Sequence, residues 1–133
     1  MLVGDVMTRG VETTFTGATL QATALKMREA GVGMLPVLEN ERPIGVITDR
    51  DITVRATANG LDPRTSHVGD VMTRRVFCCY EDESIEEAAR RMEEHTIRRL
   101  VVLDRGERMA GVITRDDLAS LPREERAGPV TGE

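Results

Sequence analysis

Val3-Gly4-Asp5-Val6-Met7-Thr8-Arg9-Gly10-Val11 returns as Val68-Gly69-Asp70-Val71-Met72-Thr73-Arg74-Arg75-Val76, with eight of the nine positions identical. Self-similarity of this length means two copies of one supersecondary unit, and it outranks local propensity in reading the chain. Two like units packed together leave clefts between them, and binding sites favour such clefts.

Working outward from the doubled segment, both copies follow one plan. An extended stretch comes first, residues 11–15 and 76–80. A helix follows. In the second copy Ser84-Ile85-Glu86-Glu87 has the capping-box pattern, and Ile85, Ala88, Ala89 and Met92 fall on one helix face. Leu20, Thr23, Ala24 and Met27 repeat that face in the first copy, whose helix is predicted to stop at Gly31. Two apolar runs then flank a polar turn: residues 34–38 and 45–48, matched by 99–103 and 111–114. The second turn carries one extra residue, which a surface loop absorbs at little cost. A second helix is predicted over 50–58, ending at Asn59-Gly60, with its counterpart after Thr114. The expected fold is α+β, two β-α-β-β-α repeats: residues 2–60, a linker at 61–67, residues 68–121, and a flexible tail at 122–133.

Composition narrows the function classes. At 133 residues the chain fits one domain or two halves sharing a core. Aromatic residues make up 2%, so the core must be aliphatic and no stacking platform for bases is available. The net charge of −5, with both signs interspersed, argues against a nucleic-acid groove. Apolar runs are too short to cross a membrane, and the opening Met1-Leu2-Val3-Gly4-Asp5 lacks signal-peptide character, which points to the cytoplasm. Cys78 and Cys79 are adjacent, so their side chains point to opposite faces and cannot easily bridge. The plain reading is one buried small side chain and one outward thiol, with redox sensing as the alternative. His95, near a helix end, reads as a dipole partner and His67 as a solvated linker residue. No nucleophile–base pair or metal-ligand set is legible, so no catalytic site, metal site or required cofactor is expected.

Gly45-Val46-Ile47-Thr48-Asp49-Arg50-Asp51 and Gly111-Val112-Ile113-Thr114-Arg115-Asp116-Asp117 share the pattern Gly-apolar-apolar-Thr-x-x-Asp. A strand here delivers a hydroxyl at its carboxyl end, where a helix begins with free backbone N–H groups. A carboxylate three residues on can accept from two vicinal hydroxyls, as on a ribose. Capping explains the same residues without a ligand, because Thr is a good N-cap and Asp is favourable in a first turn. Both copies keep Thr and Asp although capping residues are interchangeable, and that keeps binding open beside capping.

The whole repeat, with paired Asp-Val-Met-Thr starts and paired Gly-Val-Ile-Thr-x-x-Asp ends over residues 2–121, resembles a tandem cystathionine-β-synthase (CBS) domain pair, the Bateman module. Thr-Asp-Arg-Asp-Ile and Asn-Gly-Leu-Asp-Pro make it similar to hypoxic-response-protein-type pairs. The resemblance implies a pseudo-twofold axis relating the halves, two clefts, and an adenosine-containing ligand such as AMP, ATP, NAD or S-adenosylmethionine. It also implies a homodimer and a regulatory rather than enzymatic role, read out by an unidentified protein partner. Under the family's mixed arrangement, Thr48, Arg50 and Asp51 face Arg98 and Arg99 in one cleft. Thr114, Asp116 and Asp117 face Thr13, Thr14, Gly33 and Met34 in the other, where Asp116 replaces Arg50 and no arginine pair stands opposite. The first cleft is then expected to be the better anion site, since guanidinium suits phosphate oxygens. Pro36, against Val101 in the second copy, limits backbone donation in the first. The competing reading is a ligand-free scaffold acting through dimer and protein contacts.

Overall fold

The doubled Val-Gly-Asp-Val folds both times as one helical turn, α1 (Val3–Val6) and α4 (Val68–Val71). Its aspartate closes the turn. Asp5 Oδ2 accepts the Leu2 N–H at 2.9 Å, and Asp70 Oδ2 accepts that of His67 at 2.8 Å. Each satisfies a donor that a helix start leaves orphaned. This computed structural model describes residues 1–122 and residue 124. Most of the tail expected over 122–133 therefore lies outside the described residues.

After α1 come α2 (Leu20–Ala30), β1 (Met34–Glu39), β2 (Arg42–Thr48) and α3 (Asp49–Asp51). The helix continues beyond α3 as a π segment, Ile52–Ala56, and a 3-10 turn, Thr57–Asn59. The second copy supplies α4, β3 (Cys78–Tyr80), α5 (Ile85–His95), β4 (Arg99–Leu103), β5 (Met109–Thr114) and α6 (Arg115–Ala119). The mixed helix and strand composition matches the α+β expectation. α2 stops where predicted, with Gly31 left-handed at φ 68°. At the start of α5 only half of the capping box forms. Ser84 Oγ accepts the Glu87 N–H, but the Glu87 carboxylate turns to Arg90. His67, exposed as expected of a solvated linker residue, is the N-cap residue of α4. The His95 ring, in the last turn of α5, packs on Phe77 with centroids 4.7 Å apart.

The chain divides into two compact units that do not follow the sequence repeats. One is Glu12–Val76, here called the first-motif unit; the other joins Met1–Val11 to the chain from Phe77 and is called the second-motif unit. The opening segment of each repeat thus belongs with the motif of the other. In the second-motif unit β3 pairs parallel to β4, and β4 antiparallel to β5. In the first-motif unit β1 and β2 form an antiparallel pair. The strand expected at 11–15 shrinks there to a single bridge between Thr14 and Val37. Proline explains the loss. Val101 donates its N–H to Phe77 O at 3.0 Å, whereas Pro36 at the matching position has no N–H to donate.

Each unit has an aliphatic core cluster of its own. Val3, Met7, Cys79, Ile85, Met92, Leu100, Val102, Ile113 and Leu118 form one. Leu20, Met27, Leu35, Val37, Ile47, Val68, Val71 and Met72 form the other. In both, the doubled Val and Met supply side chains beneath the partner strands. The backbone of the doubled segment then locks to those strands. Thr8 and Val112 exchange N–H···O bonds of 2.8 and 3.0 Å; Thr73 and Val46 exchange two of 2.9 Å. Such an approach requires glycine beside the bridge. A Cβ on Gly111 would lie 2.5 Å from Thr8 O, and one on Gly45 would overlap Thr73 O and Met72 Cε. Among the described residues no helix is long and apolar enough to cross a membrane.

Gly111→Ala and Gly45→Ala are each expected to cost about 1–3 kcal/mol, because the obstructing atom is backbone and cannot rotate away. Urea unfolding measures the loss. Gly17→Ala, whose Cβ would meet only the Phe15 ring at 3.4 Å, serves as the near-neutral comparison.

Candidate functional site

Both Thr-x-x-Asp motifs sit where a strand ends and a helix begins, at β2 into α3 and β5 into α6. Thr48 and Thr114 are the N-caps. Thr48 Oγ1 accepts the Asp51 N–H at 3.0 Å while Asp51 Oδ2 accepts the Thr48 N–H at 3.0 Å. Thr114 and Asp117 repeat this reciprocal box at 3.0 and 2.9 Å. Thr and Asp at this spacing therefore have a complete local reason for their identity.

The resemblance in sequence conceals a difference in how the two aspartates are used. Asp51 is only 7% exposed. Beyond the box, its oxygens accept from Thr73 Oγ1 at 3.2 and 3.3 Å, and Oδ1 lies 3.5 Å from Arg55 Nη1. The same guanidinium nitrogen donates to Val71 O and Met72 O, both at 3.1 Å. Asp51, Arg55 and Thr73 thus tie the doubled segment to the motif. Asp117 is half-buried and, among the described residues, its carboxylate has one hydrogen-bond partner, the Thr114 N–H. Leu121 stands where the first copy has Arg55, and Thr8, the counterpart of Thr73, is exposed. Arg55 and Thr73 were not singled out from sequence. The visible signal was the mismatch of Arg55 with Leu121.

The nine anticipated binding residues fall into two groups. Thr13, Met34, Thr48, Arg50 and Asp51 lie in the first-motif unit; Arg98, Arg99, Thr114 and Asp117 lie in the second. Met34 is the register partner of Thr48 across β1–β2, and Gly33 O accepts the Asp49 N–H at 2.9 Å. Thr13 is fixed by its carbonyl, which accepts from Lys26 Nζ at 2.7 Å. Thr14 is buried against Thr23, its hydroxyl 3.3 Å from that of Thr23, so it faces the core. In the other unit Arg99 is the register partner of Thr114, and Arg98 O accepts the Arg115 N–H at 2.8 Å. Arg98 Nη2 lies 3.4 Å from Asp116 Oδ1. Arg98, expected opposite the first motif, thus lies beside the motif of its own repeat.

The cysteines resolve as the alternation of a strand requires. Cys79 is buried in the core and Cys78 is intermediate, both as free thiols. Burial pushes both thiols up, Cys79 to about 12, with Glu107 adding to the effect at Cys78 and Glu83 at Cys79. Neither has the depressed ionisation of a reactive sensor.

A family model, CBS domain, matches the chain twice, over residues 3–56 and 68–124. The chain belongs to the CBS domain family. This CBS pair is 37% identical over 116 residues to Hypoxic response protein 1 of Mycobacterium tuberculosis, covering 86% of the chain and 80% of that relative. A solved structure of Hypoxic Response Protein I with two coordinated zinc ions superposes with TM-score 0.80 at 36% identity, covering 92% of this chain and 100% of that one. Among the described residues of this CBS pair, no group of three His, Cys, Asp or Glu is placed to hold a metal. CBSX2 of Arabidopsis thaliana in complex with AMP superposes with TM-score 0.73 at 28% identity, covering 87% and 91%.

Two outcomes follow from these contacts. Thr73→Ala should lower unfolding free energy by about 1–2 kcal/mol, since it strips a donor from a buried carboxylate, while Thr8→Ala should change it by less than about 0.5 kcal/mol. The cysteines should resist a disulfide reagent in the native protein and react readily once unfolded. Because folding holds Cys79 protonated up to about 12 against an ordinary 9.0, its contribution is intact below about 9 and is lost as pH rises from there. Alkaline melting curves of wild type and Cys79→Ala should therefore converge.

Proposed function

We propose that this CBS pair is a non-enzymatic regulatory module that binds an adenosine nucleotide and signals its presence to a partner protein. The observation that carries the reading is the pair of Thr-x-x-Asp boxes at strand ends, in a fold shared with an AMP-bound relative. The proposed binding residues are Thr13, Met34, Thr48, Arg50 and Asp51 in the first-motif unit, and Arg98, Arg99, Thr114 and Asp117 in the second-motif unit. Ligand would act by favouring one of two packings, which requires unequal affinity for them. The hypoxic-response relative supports a stress setting. Exposed Leu25, Val32 and Val54 on the first-motif unit support a homodimer.

One observation favours a ligand-free scaffold instead. Each Thr-x-x-Asp box is already satisfied internally, so capping alone accounts for it.

A thermal-shift series with AMP, ATP, NAD and S-adenosylmethionine separates the readings. A ligand held at about 100 times its dissociation constant stabilises by roughly 2.7 kcal/mol, a clear rise in melting temperature. No shift with any of the four would leave the scaffold.

A further inference from the structure

The two units expose apolar side chains unequally. Among the described residues of the second-motif unit, the large ones left exposed are Met1 and Leu2; the first-motif unit exposes Phe15, Leu25, Val32, Val54 and Leu61. Three of these frame α2 and the segment that follows α3. α2 turns Leu20, Thr23 and Met27 into its core, yet a second stripe is also apolar, Ala22 and Leu25, with Val32 just beyond the Gly31 stop. Shallow grooves flank the helix. One, of about 570 Å³, is lined by Ala22, Leu25, Lys26 and Ala30. The other, of about 480 Å³, has Ala24, Met27 and Val32 on one wall and Ile52 and Thr53 of the π segment on the other, with exposed Val54 next along that segment. A helix ridge between two grooves is the relief on which helices interdigitate.

The second copy shares the backbone plan and lacks this surface. At the matching positions Ala22 gives way to Glu87, Leu25 to Arg90 and Val54 to Ser120. Arg90 pairs with Glu87, and Arg91 with Glu83. Glu86, Glu93 and Glu94 stand exposed along α5, so a second α5 brought against it meets like charge.

Charge indicates what the apolar surface fits. Basic and acidic residues balance within Glu12–Val76, and the net charge of −5 belongs wholly to the second-motif unit. A neutral surface meets its own copy without long-range repulsion, which a charged one does not. Beside the apolar stripe, Arg28 and Glu29 are exposed and, among the described residues, form no ion pair. A two-fold copy sets each Arg28 against the other copy's Glu29, so this face complements itself in sign as well as in apolar character.

We infer that two copies of this chain associate about a two-fold axis, first-motif unit to first-motif unit, with Leu25, Val32 and Val54 at the centre and Arg28 and Glu29 pairing at the rim. The inference rests on the homodimer proposed above and names its face; ligand binding stands apart from it.

Sedimentation equilibrium on the full chain is the test. Wild type should be dimeric at micromolar concentration. Leu25→Arg/Val54→Ser gives the first face the residues that the second copy already carries on its own helices, so the fold and its circular dichroism should persist. The dimer dissociation constant should nevertheless rise at least about 100-fold, because each lost contact counts twice about a two-fold axis. Arg28→Glu should weaken the dimer by about tenfold, and Arg28→Glu/Glu29→Arg should restore it, a rescue that damage to the fold cannot produce. Glu93→Arg/Glu94→Arg on α5 should leave the dimer unchanged. A monomeric wild type overturns both this inference and the homodimer reading. A dimer that survives Leu25→Arg/Val54→Ser, that is not restored by the charge exchange, or that the α5 substitutions disrupt, overturns the inference alone and moves the homodimer to another face.

Discussion

The structure hangs on two short backbone bridges. Thr8 clasps Val112, and Thr73 clasps Val46, each by a reciprocal pair of hydrogen bonds. These bridges are where a distant opening segment meets the strand that leads into the motif. Their geometry explains residues that otherwise read as coincidences. Glycine precedes the bridged valine in both copies because a Cβ would overlap the incoming threonine carbonyl. Methionine precedes the threonine because its long side chain fills the core below the bridge, Met7 in one cluster and Met72 in the other. The aspartate of the doubled segment caps the helical turn that aims the chain at the crossing. Much of what the two copies share is therefore what the crossing demands.

A duplicated fold frees each copy to solve the remaining problems differently, and the differences are local and chemical. Replacing one backbone donor with Pro36 reduces a strand pairing to one bridge, while Val101 keeps it. Arg55 lets the first copy neutralise a buried aspartate and pin carbonyls of the doubled segment; Leu121 cannot. A half-exposed pair such as Asp51–Arg55 is worth little by Coulomb attraction alone. Its weight comes from the hydrogen bonds that leave the buried carboxylate satisfied, since an unsatisfied one is expensive.

The repeat, the order of elements, the Gly31 stop and the α+β class were legible because each leaves a local trace: identity at fixed offset, 3.6-residue periodicity, a left-handed glycine. The Val101 donation followed from proline chemistry. Three things were hidden. That the opening segment of each repeat belongs with the other motif depends on hydrogen bonds spanning more than a hundred residues between Thr8 and Val112, and no local pattern records them. The Arg98–Asp116 pairing follows from hairpin register, which sets Arg99 against Thr114. The use of Asp51 was masked by its motif: a carboxylate three residues from a capping threonine looks the same whether a buried hydroxyl or a ligand completes it.

That last ambiguity sharpens what duplication would mean for the binding function proposed above. If both motifs served one ligand in one way, the residues framing them would be held alike. Here the boxes are alike to within 0.1 Å in their hydrogen bonds, while the frame differs in sign of charge and in how the aspartate is spent. The constant part is what a helix start needs. The variable part, Gly33 against Arg98, Met34 against Arg99 and Asp49 against Arg115, is what a bound group would meet. On the function proposed above, selectivity would be written where the copies disagree, because only there do the residues framing the motif escape the demands of folding.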